Sequence, residues 1–205
     1  MSFGLWISFL LASIVISITP GPGSVLVLAT SLRYRYTSVF KTLLGLELAL
    51  LVHLAIVALG LGALLATSNA AFLTMKIMGA AYLVWLGIQK WRAPVESIDA
   101  TKVHVSQSGR LFRQGLLVNL TNPKAVIFIA ALLPQFIVVS EPQVAQYIII
   151  GATMVGVDLL IMTGYALLAS QFRHFFKNTR MLRIQNRIFG GLFVSAGIML
   201  ASSSR

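Results

Sequence analysis

The chain has 205 residues, of which 58% are hydrophobic and 10% are charged, and its formal net charge is +11. Soluble domains carry about 25% charged residues, so this chain has too few polar side chains to cover a water-soluble globule. Disorder is excluded because it requires low hydrophobicity. The absence of cysteine excludes disulfides, thiolate metal sites and cysteine nucleophiles. The composition therefore predicts an all-α integral membrane protein.

Six apolar stretches are long enough to cross a bilayer, for which a helix needs about 20 residues. Proline removes a backbone donor and disrupts a helix, and the first and fourth stretches are interrupted by Pro20-Gly21-Pro22-Gly23 and by Asn122-Pro123. We therefore predict six transmembrane helices, of which the first and the fourth are broken. The stretches are 3–32, 42–71, 70–89, 114–140, 143–172 and 188–204.

The positive charges are distributed unevenly between the two sides of such a bundle. Of the 16 Lys and Arg residues, 13 fall in the three loops on one side and 2 on the other. Basic residues accumulate in cytoplasmic loops, so the net charge indicates topology rather than a nucleic-acid partner, and both termini are predicted to lie outside the cytoplasm. The longest cytoplasmic loop is then about 91–111. The 13 residues are Arg33, Arg35, Lys41, Lys90, Arg92, Lys102, Arg110, Arg113, Arg173, Lys177, Arg180, Arg183 and Arg187.

The second half of the chain resembles the first. A shift of 111 residues places Gly45-Leu46-Glu47 on Gly156-Val157-Asp158, and a shift of about 103 places Pro20 on Pro123. Because each unit has three spans, the two units must be inverted relative to each other, which is typical of secondary transporters. We predict one transmembrane transporter domain over 1–205, with repeat A at about 1–92 and repeat B at about 112–205.

The two proline breaks form the candidate binding site. The start of a half-helix presents free N–H groups and a partial positive charge, which suits a carboxylate, and paired interruptions in two repeats indicate a substrate site. A structural kink is the alternative interpretation. The candidate residues at the breaks are Thr19, Pro20, Gly21, Pro22, Asn122, Pro123 and Lys124.

Apart from Lys76, which lies near one end of the third stretch, three charged residues lie within the spans. Asp158 is a candidate proton relay or cation partner, since intramembrane carboxylates are usually functional, and its alternative role is a buried pair with Lys124. Lys124 either neutralises Asp158 or holds a substrate carboxylate, and the sequence does not choose between these roles. Glu47 is a second candidate coupling residue, although it would also fit an interfacial pair with Lys41 or Arg35.

His53 lies six residues after Glu47 and is able to relay protons, but a single histidine on an apolar helix is more often a packing residue. Zinc motifs and phosphate-binding loops do not occur in the sequence, so we predict no metal, no cofactor and no ATP hydrolysis. An intramembrane hydrolase that uses Ser24 and His53 and a passive channel for small solutes are the alternatives from other functional classes.

The sequence resembles the LysE/RhtB-type amino-acid exporters of bacteria over nearly its whole length. The stretches that carry the resemblance are Thr19-Pro20-Gly21-Pro22, KIMGAAYLVWLG at 76–87, NLTNPK at 119–124, LPQF at 133–136, the pair Asp158 and Tyr165, and Gly190-Gly191. Within the family, WLGIQKWRA at 85–93 is most similar to the homoserine/homoserine lactone efflux branch. The chain departs from the family at Gly23-Ser24, where Asn often follows the prolines, and at Glu47, where a neutral residue is expected.

The resemblance implies a transporter and not an enzyme. It implies efflux of homoserine, its lactone or related small neutral amino acids across the bacterial inner membrane, driven by the proton-motive force. In that membrane both termini, which the charge distribution places outside the cytoplasm, would be periplasmic. The implied partners are a small amino acid and the lipid bilayer, and a homo-oligomer remains open. Exporters of another class of amino acid, such as threonine, leucine or lysine, are the alternative within the family.

Overall fold

The computed structural model describes residues 1–65, 69–94, 99–138, 140–169 and 178–202. Within these ranges the chain forms helices, turns and connecting segments, and no strand. The all-α prediction is therefore confirmed for the described residues. The helices are α1 (Phe3–Ile18), α2 (Pro22–Ser31), α3 (Tyr36–Leu65), α4 (Asn69–Arg92), α5 (Leu111–Leu120), α6 (Pro123–Phe136), α7 (Gln143–Leu167) and α8 (Thr179–Ser202).

Two of the described helices are long and apolar enough to cross a bilayer by themselves, namely α3 over Tyr36–Gly60 and α7 over Gln143–Leu167. Two bent pairs add two more candidates: α1 with α2, which meet at 57°, and Ser108–Leu120 with Lys124–Phe136, which meet at 58°. The described residues thus contain between two and four candidate spans. Because α4 and α8 are not among these candidates, the count of six spans stays a prediction.

The predicted loop positions are partly revised. Arg180, Arg183 and Arg187 were expected in a loop, but they lie in the first turns of α8. A helix extends past its apolar stretch in this way when long basic side chains reach toward the membrane surface. Single 3₁₀ turns at Ala100–Lys102 and Ser108–Arg110 lie in the predicted 91–111 loop. Three basic residues used in the topology prediction, Arg173, Lys177 and Arg205, lie outside the described residues.

Both predicted helix breaks are present, and each begins its second helix in the same way. In α2 the N-cap is Gly21 and the first helical residue is Pro22, and in α6 these positions are Asn122 and Pro123. Proline suits the first helical position because its missing N–H would be unpaired there in any case. By position in the helix, Pro123 therefore corresponds to Pro22 and not to Pro20, which the sequence alignment had paired with it.

Helices α3 and α5 run side by side in the same direction. The hydroxyl groups of Ser38 and Ser108 lie 3.2 Å apart near the start of both helices. Farther along both, His53 Nε2 donates a hydrogen bond to the carbonyl oxygen of Leu120 at 3.2 Å. The second predicted span and the first half of the fourth are therefore parallel.

Helices α1 and α7 are also parallel. Trp6 Nε1 donates to the hydroxyl of Thr153 at 3.1 Å near the start of both helices, and the Tyr165 hydroxyl donates to the carbonyl oxygen of Ile18 at 2.6 Å near the end of both. The first half of the first span therefore has the same direction as the fifth span.

Helices α4 and α8 pack closely in opposite directions. A Cβ added to Gly87 would lie 2.6 Å from the carbonyl oxygen of Gly190, and a Cβ added to Gly197 would lie 2.8 Å from that of Ala80. A later residue of α4 thus contacts an earlier residue of α8, and the reverse, so the two helices are antiparallel. Small residues allow this close approach of two backbones in a membrane.

A buried cluster of apolar side chains lies toward the N-terminal end of α1. Phe9 of α1 and Phe136 of α6 are buried, with ring centroids 5.0 Å apart and edge-to-face geometry. Leu133 and Ile150 are buried in the same cluster. This end holds the N-terminus of α1, and the positive-charge distribution predicts that it lies outside the cytoplasm.

Candidate functional site

Lys124 brings the two helix breaks together. It is the second residue of α6, and its ammonium group donates a hydrogen bond to the carbonyl oxygen of Thr19 at the end of α1. Thr19 lies 105 residues earlier in the sequence. Gly21 leaves room for the lysine stem, because a Cβ there would lie 3.3 Å from Lys124 Cδ. The second break therefore supplies a cation to the first.

Side chains from distant helices satisfy the carbonyl groups at the end of α1. The last carbonyls of a helix have no partner within it. The Ile18 carbonyl accepts a hydrogen bond from the Tyr165 hydroxyl at 2.6 Å and one from Gln185 Nε2 at 3.5 Å, while the Thr19 carbonyl accepts one from Lys124. The position of the first break thus depends on α6, α7 and α8.

Local side chains cap the starts of the two half-helices. At α2, the N–H of Gly21 donates to Ser24 Oγ at 2.9 Å, and this hydroxyl donates back to the Gly21 carbonyl at 3.0 Å. At α6, the N–H of Lys124 donates to Asn122 Oδ1 at 3.1 Å. The first-turn partial charge of each half-helix is positive, and both starts face the same region of the bundle.

Asn119 is a member of the site that the sequence analysis did not select. Its Nδ2 donates to the carbonyl oxygen of Leu46 at 2.8 Å, and its Oδ1 accepts from Asn122 Nδ2 at 3.1 Å. It is buried, as is Asn122. The sequence did contain a signal for it, because Asn119 is an amide side chain within an apolar stretch, three residues before Asn122. Asn119 fastens the second break to α3.

The two acidic residues of the spans meet in the interior. Glu47 of α3 is only 4% exposed, and its carboxyl group lies next to that of Asp158 of α7. Both Glu47 oxygens are buried and lack a hydrogen-bond donor among the described residues. The alternative of an interfacial Glu47 paired with Lys41 or Arg35 is therefore wrong, because this face of α3 packs against other helices rather than against the membrane surface.

Asp158 has polar neighbours on several helices. The hydroxyl of Ser17 on α1 and the ammonium of Lys124 both act on its carboxyl group. Among the described residues, however, the ion pair within contact distance is that of the Met1 ammonium with Glu141. Lys124 and Asp158 thus interact across a gap, and the direct buried pair considered from the sequence does not form.

A small cavity occupies the gap between Lys124 and Asp158. Its volume is about 50 Å³, which is enough for a few water molecules. Apolar side chains of α1, α3, α6 and α7, together with Gly21 and Gly23, form the rest of its lining. The polar residues that line it are Ser13, Ser17, Ser24, Asn119, Asn122, Lys124 and Asp158.

A second cavity of about 980 Å³ lies on the other side of the breaks. Gly21, Asn122, Lys124 and Phe128 line both cavities, so Lys124 stands between them. The candidate residues of the first break all line the large cavity, which extends to the C-terminal end of α4. Thr19, Pro20, Gly21 and Pro22 are these residues. Pro123 begins α6, and Glu47 lies behind Asp158.

Ser24 and His53 make hydrogen bonds in separate parts of the structure. The Ser24 hydroxyl exchanges hydrogen bonds with Gly21, and His53 Nε2 donates to Leu120. Ser24 lines the small cavity, whereas His53 is not among the residues of either cavity. This arrangement lacks the hydroxyl–imidazole hydrogen bond that a serine nucleophile and its base require.

Comparisons with known proteins identify several relatives of the chain. Residues 14–204 match the family model of the LysE type translocators. The chain is 44% identical to the homoserine/homoserine lactone efflux protein of Salmonella typhi over 99% of its own length and 98% of the relative. It is 37% identical to a membrane protein of Vibrio cholerae over 99% of both chains, and 25% identical to the leucine efflux protein of an Enterobacter species over 95% and 94%. No solved structure matches the chain.

Proposed function

Because the chain belongs to the LysE type translocator family, we propose that it exports homoserine, homoserine lactone or related small neutral amino acids across the bacterial inner membrane. The observation that carries this proposal is the placement of Lys124, whose ammonium lies at the junction of two broken helices and two cavities. The name of the 44% identical relative supports the choice of substrate.

The proposed architecture is a single domain over 1–205 with six spans in two inverted repeats, repeat A at about 1–92 and repeat B at about 112–205. In such a repeat α1 corresponds to α5 and α3 to α7. The parallel pair of α3 and α5 would then have its counterpart in the parallel pair of α1 and α7, and α4 and α8 would be antiparallel, which agrees with the observed directions.

In the proposed orientation both termini are periplasmic and the large cavity opens toward the cytoplasm. The cavity reaches the C-terminal end of α4, which the positive-charge distribution assigns to the cytoplasmic side. The buried cluster of Phe9, Phe136 and their neighbours lies toward the opposite end. This is the arrangement of a transporter that is ready to accept substrate from the cytoplasm.

In the proposed binding mode the small cavity, which is smaller than an amino acid, widens to admit the substrate. The two charged ends of the amino acid then lie at its opposite sides. Lys124 and the starts of α2 and α6 hold the carboxylate, since helix starts in broken transporter helices face anionic groups. Asp158, supported by Glu47, holds the ammonium group or a proton in alternation. Two adjacent buried carboxyls cannot both be charged at low cost, so we expect the pair to keep one proton when substrate is absent.

Proton exchange would supply enough free energy for export. One proton that enters while a neutral zwitterion leaves gains about 2.3 kcal/mol per 100 mV of membrane potential. At about 1.4 kcal/mol per tenfold, this supports an outward substrate gradient of about 40-fold. A difference in pH would add to it.

The test is uptake of labelled amino acids into inverted membrane vesicles, with and without a proton gradient. We expect homoserine and its lactone to be concentrated in the vesicles only when the gradient is present, and threonine, leucine and lysine to be concentrated less. Equilibration without accumulation would instead identify a channel. A hydrolysed product would identify an enzyme.

A further inference from the structure

Lys90 is a basic residue of the large cavity that the proposed binding mode does not use. It lies near the C-terminal end of α4, it is half-buried, and it lines the cavity together with Tyr82, Trp85 and Gln89. The rings of Tyr82 and Trp85 pack with their centroids 5.3 Å apart, so this wall is built of packed side chains. Its charge acts on Lys124 at the breaks.

The two lysines occupy successive positions along one path. Lys124 lines both cavities, whereas Lys90 lines only the large one. A carboxylate that enters at the end of α4 therefore meets Lys90 before it reaches Lys124. No carboxylate among the described residues pairs with Lys90, so its ammonium can accept an anion there.

Burial distinguishes Lys90 from a residue that only anchors the helix at the membrane surface. The next basic residue, Arg92, also lines the cavity but is exposed, as is Trp91. Basic and aromatic residues at the end of a span often contact lipid headgroups, and these two exposed residues fit that role. Lys90 is less exposed than these two residues and lines the large cavity, through which an amino acid would pass.

We propose that Lys90 is a second carboxylate-binding residue of the transport path, which holds the substrate carboxylate in the large cavity in the state described here, before the carboxylate passes to Lys124. The inference rests on the proposed export function and makes it more specific. Homoserine has a carboxylate, but in the lactone this group is closed into an ester. Lys90 therefore assists homoserine and not the lactone.

The test compares the binding of homoserine and homoserine lactone to purified protein in lipid nanodiscs by calorimetric titration. We expect Lys90→Gln to weaken homoserine binding about tenfold, or about 1.4 kcal/mol, with lactone binding unchanged. Lys90→Arg keeps the charge and should restore homoserine binding. Lys102→Gln is the matched control, because Lys102 is an exposed basic residue that lines neither cavity. Equal melting temperatures would show that Lys90→Gln is folded.

Three results would overturn the assignment: no change in homoserine binding, an equal loss for both ligands, or a loss that occurs only in nanodiscs with anionic lipid. The last result would assign Lys90 to a lipid phosphate. If the wild type concentrates homoserine in vesicles while Lys90→Gln binds it normally, only this inference fails. If the wild type binds neither ligand, the proposed substrate is wrong and the role of Lys90 fails with it.

Discussion

The two halves of the chain build similar helix breaks from different residues. Each second helix begins with proline at its first position, Pro22 in α2 and Pro123 in α6. The next residue is Gly23 in the first half and Lys124 in the second. The first break therefore provides a helix start without a charge, while the second provides a helix start and a cation.

This difference gives the site a direction. Two equivalent helix starts would attract an anion equally, and an amino acid could then bind in either orientation. In the proposed binding mode, the cation at Lys124, with Asp158 across the small cavity, favours one orientation of a zwitterion. The two sides of the first break also differ in support: Ser24 caps the start of α2 within its own turn, but distant side chains cap the end of α1.

The largest effect is expected from removing the cation at the helix breaks, Lys124. Lys124→Met should reduce homoserine transport about 100-fold, because a hydrogen bond to a charged group contributes about 1.5–3 kcal/mol and 1.4 kcal/mol is about tenfold. Lys124→Arg should retain part of the activity. Transport is measured in inverted vesicles with equal protein levels, and Lys102→Met serves as control. Wild-type rates in Lys124→Met would show that the asymmetry of the breaks does not matter for binding.

A second effect concerns the acidic residues, Glu47 in the first half and Asp158 in the second. The Asp158→Asn variant cannot exchange a proton at this position. Accumulation of substrate in the vesicles should therefore fall from about 40-fold at 100 mV to equal concentrations on both sides. Movement of substrate down its own gradient should continue. Glu47→Gln should have a smaller effect, because Glu47 does not line the small cavity. Asp99→Asn, which can keep its cap on Thr101, is the control. Proton-coupled efflux that survives in Asp158→Asn would exclude this residue as the coupling group.

The smallest expected effect concerns two glycines that the repeat alignment pairs. A Cβ on Gly45 would lie 2.1 Å from the Phe112 carbonyl oxygen, whereas a Cβ on Gly156 would have nothing within 4 Å. Gly45→Ala should therefore destabilise the protein by about 1–3 kcal/mol through overpacking. Gly156→Ala should be neutral or slightly stabilising, since alanine favours a helix. Thermal melting in detergent measures the stability of both variants. Equal changes in melting temperature would contradict the close contact between α3 and α5.

The sequence was most informative where the physical cause is local. Proline lacks an N–H, so both breaks could be placed from the sequence, to within two residues at the first one. The end of the fifth span and the start of the sixth were less accurate, since α7 ends at Leu167 within its apolar stretch and α8 begins at Thr179 before its own. Hydropathy shows neither where a helix ends inside an apolar stretch nor where it begins ahead of one.

The interaction partners of the charged residues in the spans could not be predicted from local sequence features. From the sequence, Glu47 fitted an interfacial pair as well as a functional role, yet it is buried beside Asp158, 111 residues later. The sequence equally allowed Lys124 to neutralise Asp158, but its ammonium is bonded to the Thr19 carbonyl. Such choices depend on which faces of distant helices pack together.

The sequence by itself determined that the chain is an apolar, helical membrane protein with two broken helices and with charges at Glu47, Lys124 and Asp158. Composition and proline act on each segment independently, so these features need no knowledge of the neighbours. Only the tertiary structure decided that the breaks meet at Lys124, that the acids interact with each other and that Lys90 lines the same large cavity as Lys124. These contacts join segments far apart in the chain, and helix packing alone brings them together.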